Sequence, residues 1–262
     1  MPEAAADLIA RAQTAPVDAT LAARALPLLD LTSLNDADTD ADIERLCRRA
    51  AEYGTAAVCI WPRFVPLAKG LLRGSGVRLA TVANFPHGGD DIAGAAKECA
   101  AAVAAGADEV DVVAPIAAIR GGDIGMVSEL VTACRTAAAE TTLKVILETG
   151  VLGDPSLIAG AARAAVMAGG DFLKTSTGKA AVGATLEAAA VLLAVIEEAD
   201  GKVGFKAAGG IRTAQQAASY LFLAEQLIDP SWACPRTFRF GASALLDDLL
   251  RALPPGSAEG DA

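Results

Sequence analysis

Eight short runs of apolar residues are spread along the chain, at 28–31, 56–60, 78–83, 109–113, 143–147, 171–174, 203–206 and 238–241. Each has the length of a buried strand, and the gaps between them suit strand–helix units rather than hairpins. In the gaps the apolar positions adopt helical spacing, at 41–53, 91–105, 123–139, 155–168, 186–198, 213–226 and 242–252. The polar run Asn35-Asp36-Ala37-Asp38-Thr39-Asp40 offers N-caps to the first of these helices. Gly54, Gly106, Gly169 and Gly201 offer stops. Eight strands alternating with helices, in one composition regime, predict a single-domain (β/α)8 barrel of the α/β class over 25–253. Residues 1–24 read as a short helical N-terminal extension and 254–262 as a disordered tail. A doubly wound open sheet is the competing architecture. Its glycine fingerprint does not follow Leu31, and a phosphate-loop pattern fails because Leu173 stands where its first glycine is required.

Composition narrows the function. Hydrophobic residues make up 53% of the 262 and aromatic residues 4%, so the helices are expected to pack closely through small side chains. The formal net charge of −10 argues against a nucleic-acid footprint and fits a dispersed, cytoplasmic protein. Cys47, Cys59, Cys99, Cys134 and Cys234 form no C-x-x-C pair and read as reduced thiols. His87 is the sole histidine, too few for an ordinary zinc site. The N-terminus does not read as a secretory signal, and no apolar stretch is long enough to span a membrane.

Two lysines carry the strongest chemical signal. Lys174 ends the apolar run Asp171-Phe172-Leu173 before Thr175-Ser176-Thr177-Gly178-Lys179, and Lys206 ends Val203-Gly204-Phe205 before Ala207-Ala208-Gly209-Gly210. Lysine is almost never buried unless paired or at work. In a barrel both would lie at the catalytic, C-terminal end of consecutive strands, with Asp30, Cys59, Asn84, Asp111, Glu148 and Ser243 on the same rim. A free lysine has a pKa near 10.4, and lowering it to about 7 corresponds to roughly 4.6 kcal/mol. A second ammonium about 4 Å away supplies on the order of 4 kcal/mol at an effective dielectric of 20. Partial burial acts in the same direction. One lysine could thus be a working amine that attacks a carbonyl to form a Schiff base. Asp111 is placed for proton transfer, because period two puts Glu109, Asp111 and Val113 on one face of their strand. Lys206 or Lys174 is its natural partner. Lys144 is expected to be no more than a charge partner, Cys59 a small buried hydrophobe, and His87 a loop residue.

The loops after the last strands read Gly209-Gly210-Ile211-Arg212 and Gly241-Ala242-Ser243. Glycine lets backbone amides approach an anion, and a following helix adds its positive end. Thr177, Gly178 and Lys179 form a third donor set. The combination points to a phosphorylated substrate.

The segments at 28–36, 56–66, 80–91, 106–113, 143–150, 171–179, 203–213 and 239–243 together resemble the deoxyribose-phosphate aldolases, class I aldolases on a (β/α)8 barrel. The resemblance implies reversible cleavage of 2-deoxy-D-ribose 5-phosphate to acetaldehyde and D-glyceraldehyde 3-phosphate, in deoxyribose catabolism. It implies Lys174 as the Schiff-base lysine and Lys206 as the second lysine. Asp111 becomes the acid/base aspartate, and Asp30 a further acid of the proton relay. Gly178, Lys179, Gly209, Gly210 and Ser243 match phosphate-side positions. No cofactor or metal is implied. The expected partners are small phosphorylated sugars and aldehydes, and a second copy of the chain in a dimer; neither nucleic acid nor membrane is expected. Ala207 stands where many relatives have Pro, and Ala244 where some have a second Ser beside the phosphate-loop Ser. Residues 259–262 contain no tyrosine of the kind some relatives use, so proton transfer at the acetaldehyde-derived carbon is expected either to be slower or to rest wholly on Asp111, Lys206 and water. The rival readings are a Schiff-base aldolase for another phosphorylated carbonyl compound, and a phosphate-binding barrel without turnover.

Overall fold

The computed structural model describes residues 3–254. Eight strands, β1 (Leu29–Ser33), β2 (Ala57–Ile60), β3 (Arg78–Ala83), β4 (Glu109–Val113), β5 (Thr142–Ile146), β6 (Phe172–Lys174), β7 (Gly204–Ala208) and β8 (Phe238–Ala242), close into a parallel barrel in sequence order. Pairing of β8 with β1 completes the ring, with Asp30 level with Gly241. The (β/α)8 architecture expected from the apolar runs is the one observed, displaced at most strand ends by a residue or two.

Strand alternation builds two different interiors. Leu79, Val110, Val112, Leu143, Val145, Leu173, Phe205, Phe238 and Phe240 belong to the main apolar core. They alternate along their strands with the charged residues inside the barrel, so they face the surrounding helices. A small second cluster of Leu34, Ala57, Cys59, Ala80 and Val82 is apolar. The charged interior is supplied by β1 and by β4 to β8.

Helix ends follow their local chemistry. Thr39 and Asp42 form a capping box at the start of Asp40–Glu52, and Thr213 and Gln216 form one at Ala214–Leu227. Gly106 closes Ile92–Ala105 in the left-handed conformation. The helix Val65–Leu71 between β2 and β3 was not anticipated. Pro66 sits in its first turn, where a missing N–H costs nothing. Short helices Ile116–Arg120 and Thr149–Leu152 are likewise additions.

Two helices, Glu3–Gln13 and Ala19–Ala25, precede β1. Gln215 Nε2 of the helix Ala214–Leu227 donates to the Ala15 carbonyl at 2.8 Å and ties this segment to the barrel. The tail expected to be disordered lies, from residue 255 on, outside the described residues. No described helix is long and apolar enough to cross a membrane.

Candidate active site

Lys174 and Lys206 are register partners on β6 and β7, and Lys206 is level with Arg239 on β8. Three cations therefore stand in one row on three neighbouring strands. On the adjoining strands, Asp111 of β4 is level with Lys144 of β5. Gly241 makes room for this crowding, since a Cβ there would lie 2.9 Å from Lys206 Cε.

Asp111 is the hub. Its Oδ2 accepts from Lys174 Nζ at 2.7 Å and from Lys206 Nζ at 2.8 Å, while Oδ1 accepts from Lys144 Nζ at 2.9 Å. One carboxylate oxygen thus lies between the two ammonium groups that the sequence singled out. Lys206 also donates to Asp30 Oδ2 at 2.5 Å. Arg239 Nη1 donates to the other oxygen of Asp30 at 2.6 Å, and its two nitrogens grip Glu109 at 3.1 and 2.9 Å. Lys144 closes the circuit on Glu109 at 2.5 Å. All of these side chains are buried.

Burial and neighbours set the charges. Burial is the largest influence on the Lys174 amine and pushes it below the ordinary lysine value; Asp111 opposes this and Lys206 adds to it. The sequence argument placed the neighbouring ammonium first, and here it is secondary to removal from water. Burial also disfavours the charged form of Lys206, but Asp111 and Asp30 outweigh it and hold that ammonium well above the ordinary value. Lys144 is held up in the same way by Asp111 and Glu109. Against burial, Lys144, Lys174 and Lys206 keep the Asp111 carboxyl well below the usual range. Lys206, Arg239 and Lys144 do the same for Asp30.

Lys174 alone of this cluster lines the cavity of about 220 Å3 at the C-terminal mouth of the barrel. Asp30, Asp111 and Lys206, expected on the rim, lie beneath it, fully buried inside the barrel. Cys59 is also buried, with Sγ 4.0 Å from Asp111 Oδ2, and burial pushes its thiol up. His87 is an exposed loop residue, as expected. Asn84 has φ 53° and spends its amide on the Gly89 and Val113 carbonyls, which makes it a loop organiser.

The wall of the cavity opposite Lys174 is a set of loops. Gly178, Lys179, Gly209, Gly210, Arg212 and Ser243 all line it. The backbone N–H groups of Gly178, Gly209, Gly210 and Ser243 donate to no acceptor among the described residues. Gly209 and Gly210 have φ 92° and 84°, a conformation other residues rarely adopt. Such free amides are the means by which backbone holds an anion. Lys179 Nζ is held by the Leu34 carbonyl at 2.6 Å. Thr177 lines the same cavity, but both its donors go to Glu148, the N–H at 3.2 Å. It therefore shapes the loop and has no hydrogen to offer a ligand.

That loop is pressed against the turn after β5. A Cβ on Gly150 would come within 2.1 Å of the Val182 carbonyl oxygen. Gly150→Ala is expected to destabilise the fold by about 1–3 kcal/mol, the range for overpacking a close contact. Thermal unfolding checks this, and an unchanged midpoint would show that the loop moves aside freely.

A larger hollow of about 780 Å3 lies at the opposite, N-terminal mouth, between Arg78, Glu109, Phe172 and Arg239. It does not reach Lys174. Sequence reasoning missed Arg239 and gave Glu109 no role in the site; Lys144 is the charge partner it was expected to be. The signal was present in Arg239, a lone charge between Phe238 and Phe240 that alternation turns inward.

Fold and site together define a barrel protein with a buried amine at the floor of its open mouth. The chain belongs to the DeoC/LacD family of aldolases, whose model matches residues 24–250. Three solved structures illustrate the likeness. A Coccidioides immitis protein provisionally designated a deoxyribose-phosphate aldolase superposes with a TM-score of 0.80 at 28% identity, over 95% of this chain and 96% of that one. A Toxoplasma gondii protein of the same provisional designation gives 0.82 at 25% identity, over 89% and 96%. The deoxyribose phosphate aldolase of Aeropyrum pernix, described as having a unique tetrameric structure, gives 0.73 at 26% identity, over 93% and 96%.

Proposed function

We propose that this aldolase reversibly cleaves 2-deoxy-D-ribose 5-phosphate to acetaldehyde and D-glyceraldehyde 3-phosphate through a Schiff base on Lys174, in deoxyribose breakdown. The observation that carries the reading is the placement of Lys174. It is the one amine of a buried ionic cluster that opens onto the cavity, and burial favours its neutral form.

Neutral Nζ attacks the aldehyde carbon C1 of the open-chain sugar. The resulting carbinolamine loses water to give an iminium ion. Asp111, bonded to Lys174 Nζ, is the group placed to carry protons in these steps, with Lys206 and Asp30 behind it. The C3 hydroxyl then loses its proton and the C2–C3 bond breaks. Its electron pair moves to the iminium to leave an enamine on Lys174, and C3 departs as the aldehyde of D-glyceraldehyde 3-phosphate. Protonation at C2 and hydrolysis release acetaldehyde and restore the amine. The free amides of Gly178, Gly209, Gly210 and Ser243 hold the phosphate, with Lys179 adding charge. By similarity to the Aeropyrum protein, the chain is also proposed to form a homo-oligomer.

Borohydride added with substrate is expected to reduce the imine and leave a stable adduct, which peptide mapping places on Lys174. Activity is expected to survive chelators. An adduct on another lysine, or activity lost in EDTA and restored by zinc, would overturn the assignment.

A further inference from the structure

Ion pairs join seven buried side chains inside the barrel into one set. Four are cations, Lys144, Lys174, Lys206 and Arg239; three are carboxylates, Asp30, Glu109 and Asp111. With every group charged the set carries one surplus positive charge. With Lys174 neutral it balances. Among these four cations Lys174 is the one that burial leaves with a lowered affinity for its proton, while Arg239 cannot release one. Glu148, also buried, stands outside the set on Thr177. Arg78, 3.8 Å from Glu109, is half exposed to water, which screens it.

We propose that Arg239 is a positioning residue whose fixed charge forces the surplus proton of this set off Lys174. Arg239 does not reach the cavity. It acts through Asp30 and Glu109, whose negative charges it neutralises from β8. Without it the three carboxylates would be free to hold all three lysines protonated, and Lys174 would stay an ammonium. The groups facing Lys174 are Asp111 from β4, Lys206 from β7 and the thiol Cys59 from β2, with Lys144 and Asp30 one step behind. Those facing Arg239 are Asp30 from β1, Glu109 from β4 and the Phe172 ring from β6, with Lys206 its register neighbour on β7. The arithmetic of charge is therefore local to the set.

The inference rests on the reading of Lys174 as the imine-forming residue, so its test reads the Lys174 proton with and without substrate. Brief labelling with acetic anhydride across a pH series, followed by peptide mass spectrometry, reports the free-amine fraction of Lys174 in the whole protein. The pH profile of kcat/KM on 2-deoxy-D-ribose 5-phosphate is recorded beside it. Arg239→Met is expected to move the Lys174 titration, and the rise of kcat/KM with pH, upward by about one pH unit, a tenfold loss of free amine below it. Arg239→Lys keeps the charge and is expected to stay at the wild-type position. Glu109→Gln enlarges the surplus and is expected to move the titration downward. The double variant Arg239→Met with Glu109→Gln restores the surplus of one and is expected to return it. A Lys174 titration that is the same in all four variants would overturn the proposal, whatever their stability. Should Arg239→Met not fold, Glu109→Gln decides, and no downward movement in it counts against the proposal. If the titrations move as expected but no imine forms with substrate, the charge argument stands and the proposed reaction fails.

Discussion

Lys174→Arg is expected to remove turnover while leaving the fold in place. The guanidinium keeps the pairing with Asp111, while the one surplus positive charge of the set becomes permanent. Its tip can extend into the cavity that Lys174 already lines. What the variant lacks is a nitrogen that can lose its proton, since arginine stays protonated throughout the accessible pH range. A loss on the order of 10^4-fold or more in kcat/KM is expected, the scale on which removal of a covalent nucleophile is felt. Borohydride should then trap nothing. Thermal unfolding close to wild type would show that chemistry, not structure, was lost. Retained turnover in a folded Lys174→Arg protein would refute Lys174 as the imine-forming residue.

Lys206→Leu is the second large effect, and it has two parts of different origin. Lys206 is fully buried and hydrogen-bonded to both Asp30 and Asp111. Deleting one partner of a buried ion pair leaves the other charge uncompensated and costs about 3–5 kcal/mol. The fold is therefore expected to weaken, a consequence the sequence alone did not suggest. The second part is kinetic. Without the Lys206 cation the remaining set balances with Lys174 still protonated, so the amine keeps its proton to higher pH. Turnover at neutral pH is expected to fall on the order of 10^2- to 10^4-fold, the usual span for a lost proton-transfer partner. The two parts separate experimentally, since recovery at higher pH reports the amine and the unfolding midpoint reports the broken pairs. Full activity at neutral pH would dismiss Lys206 as an influence on Lys174.

Several features of the candidate site are readable in the sequence. Lys174 and Lys206 end apolar strands, and lysine in that position is rare enough to signal chemistry. Asp111 was legible from alternation along β4, because an acid between valines must turn inward. The glycines at 209 and 210 read as backbone able to approach a ligand; both adopt positive φ and line the cavity. Thr177 shows the limit of such reasoning. Its sequence context matches a donor set, yet Glu148, 29 residues away, claims both of its hydrogens. The helix at Val65–Leu71 marks another, since its proline acts as a breaker or as a starter according to the turn it occupies.

By itself, then, the order of residues determined the strand and helix succession, the barrel class, the family, and which side chains were chemically unusual. The barrel class and most of the strand and helix succession follow from periodicity and local preference, which act over a few residues; the family follows from the resemblance of the motifs. Closure of the barrel decided the rest. Arg239 meets Asp30 across 209 positions of chain only because β8 lies beside β1. Whether a buried lysine keeps its proton depends on every charge within a few ångströms and on the absence of water. Those quantities exist only once the eight strands have brought their inward faces together.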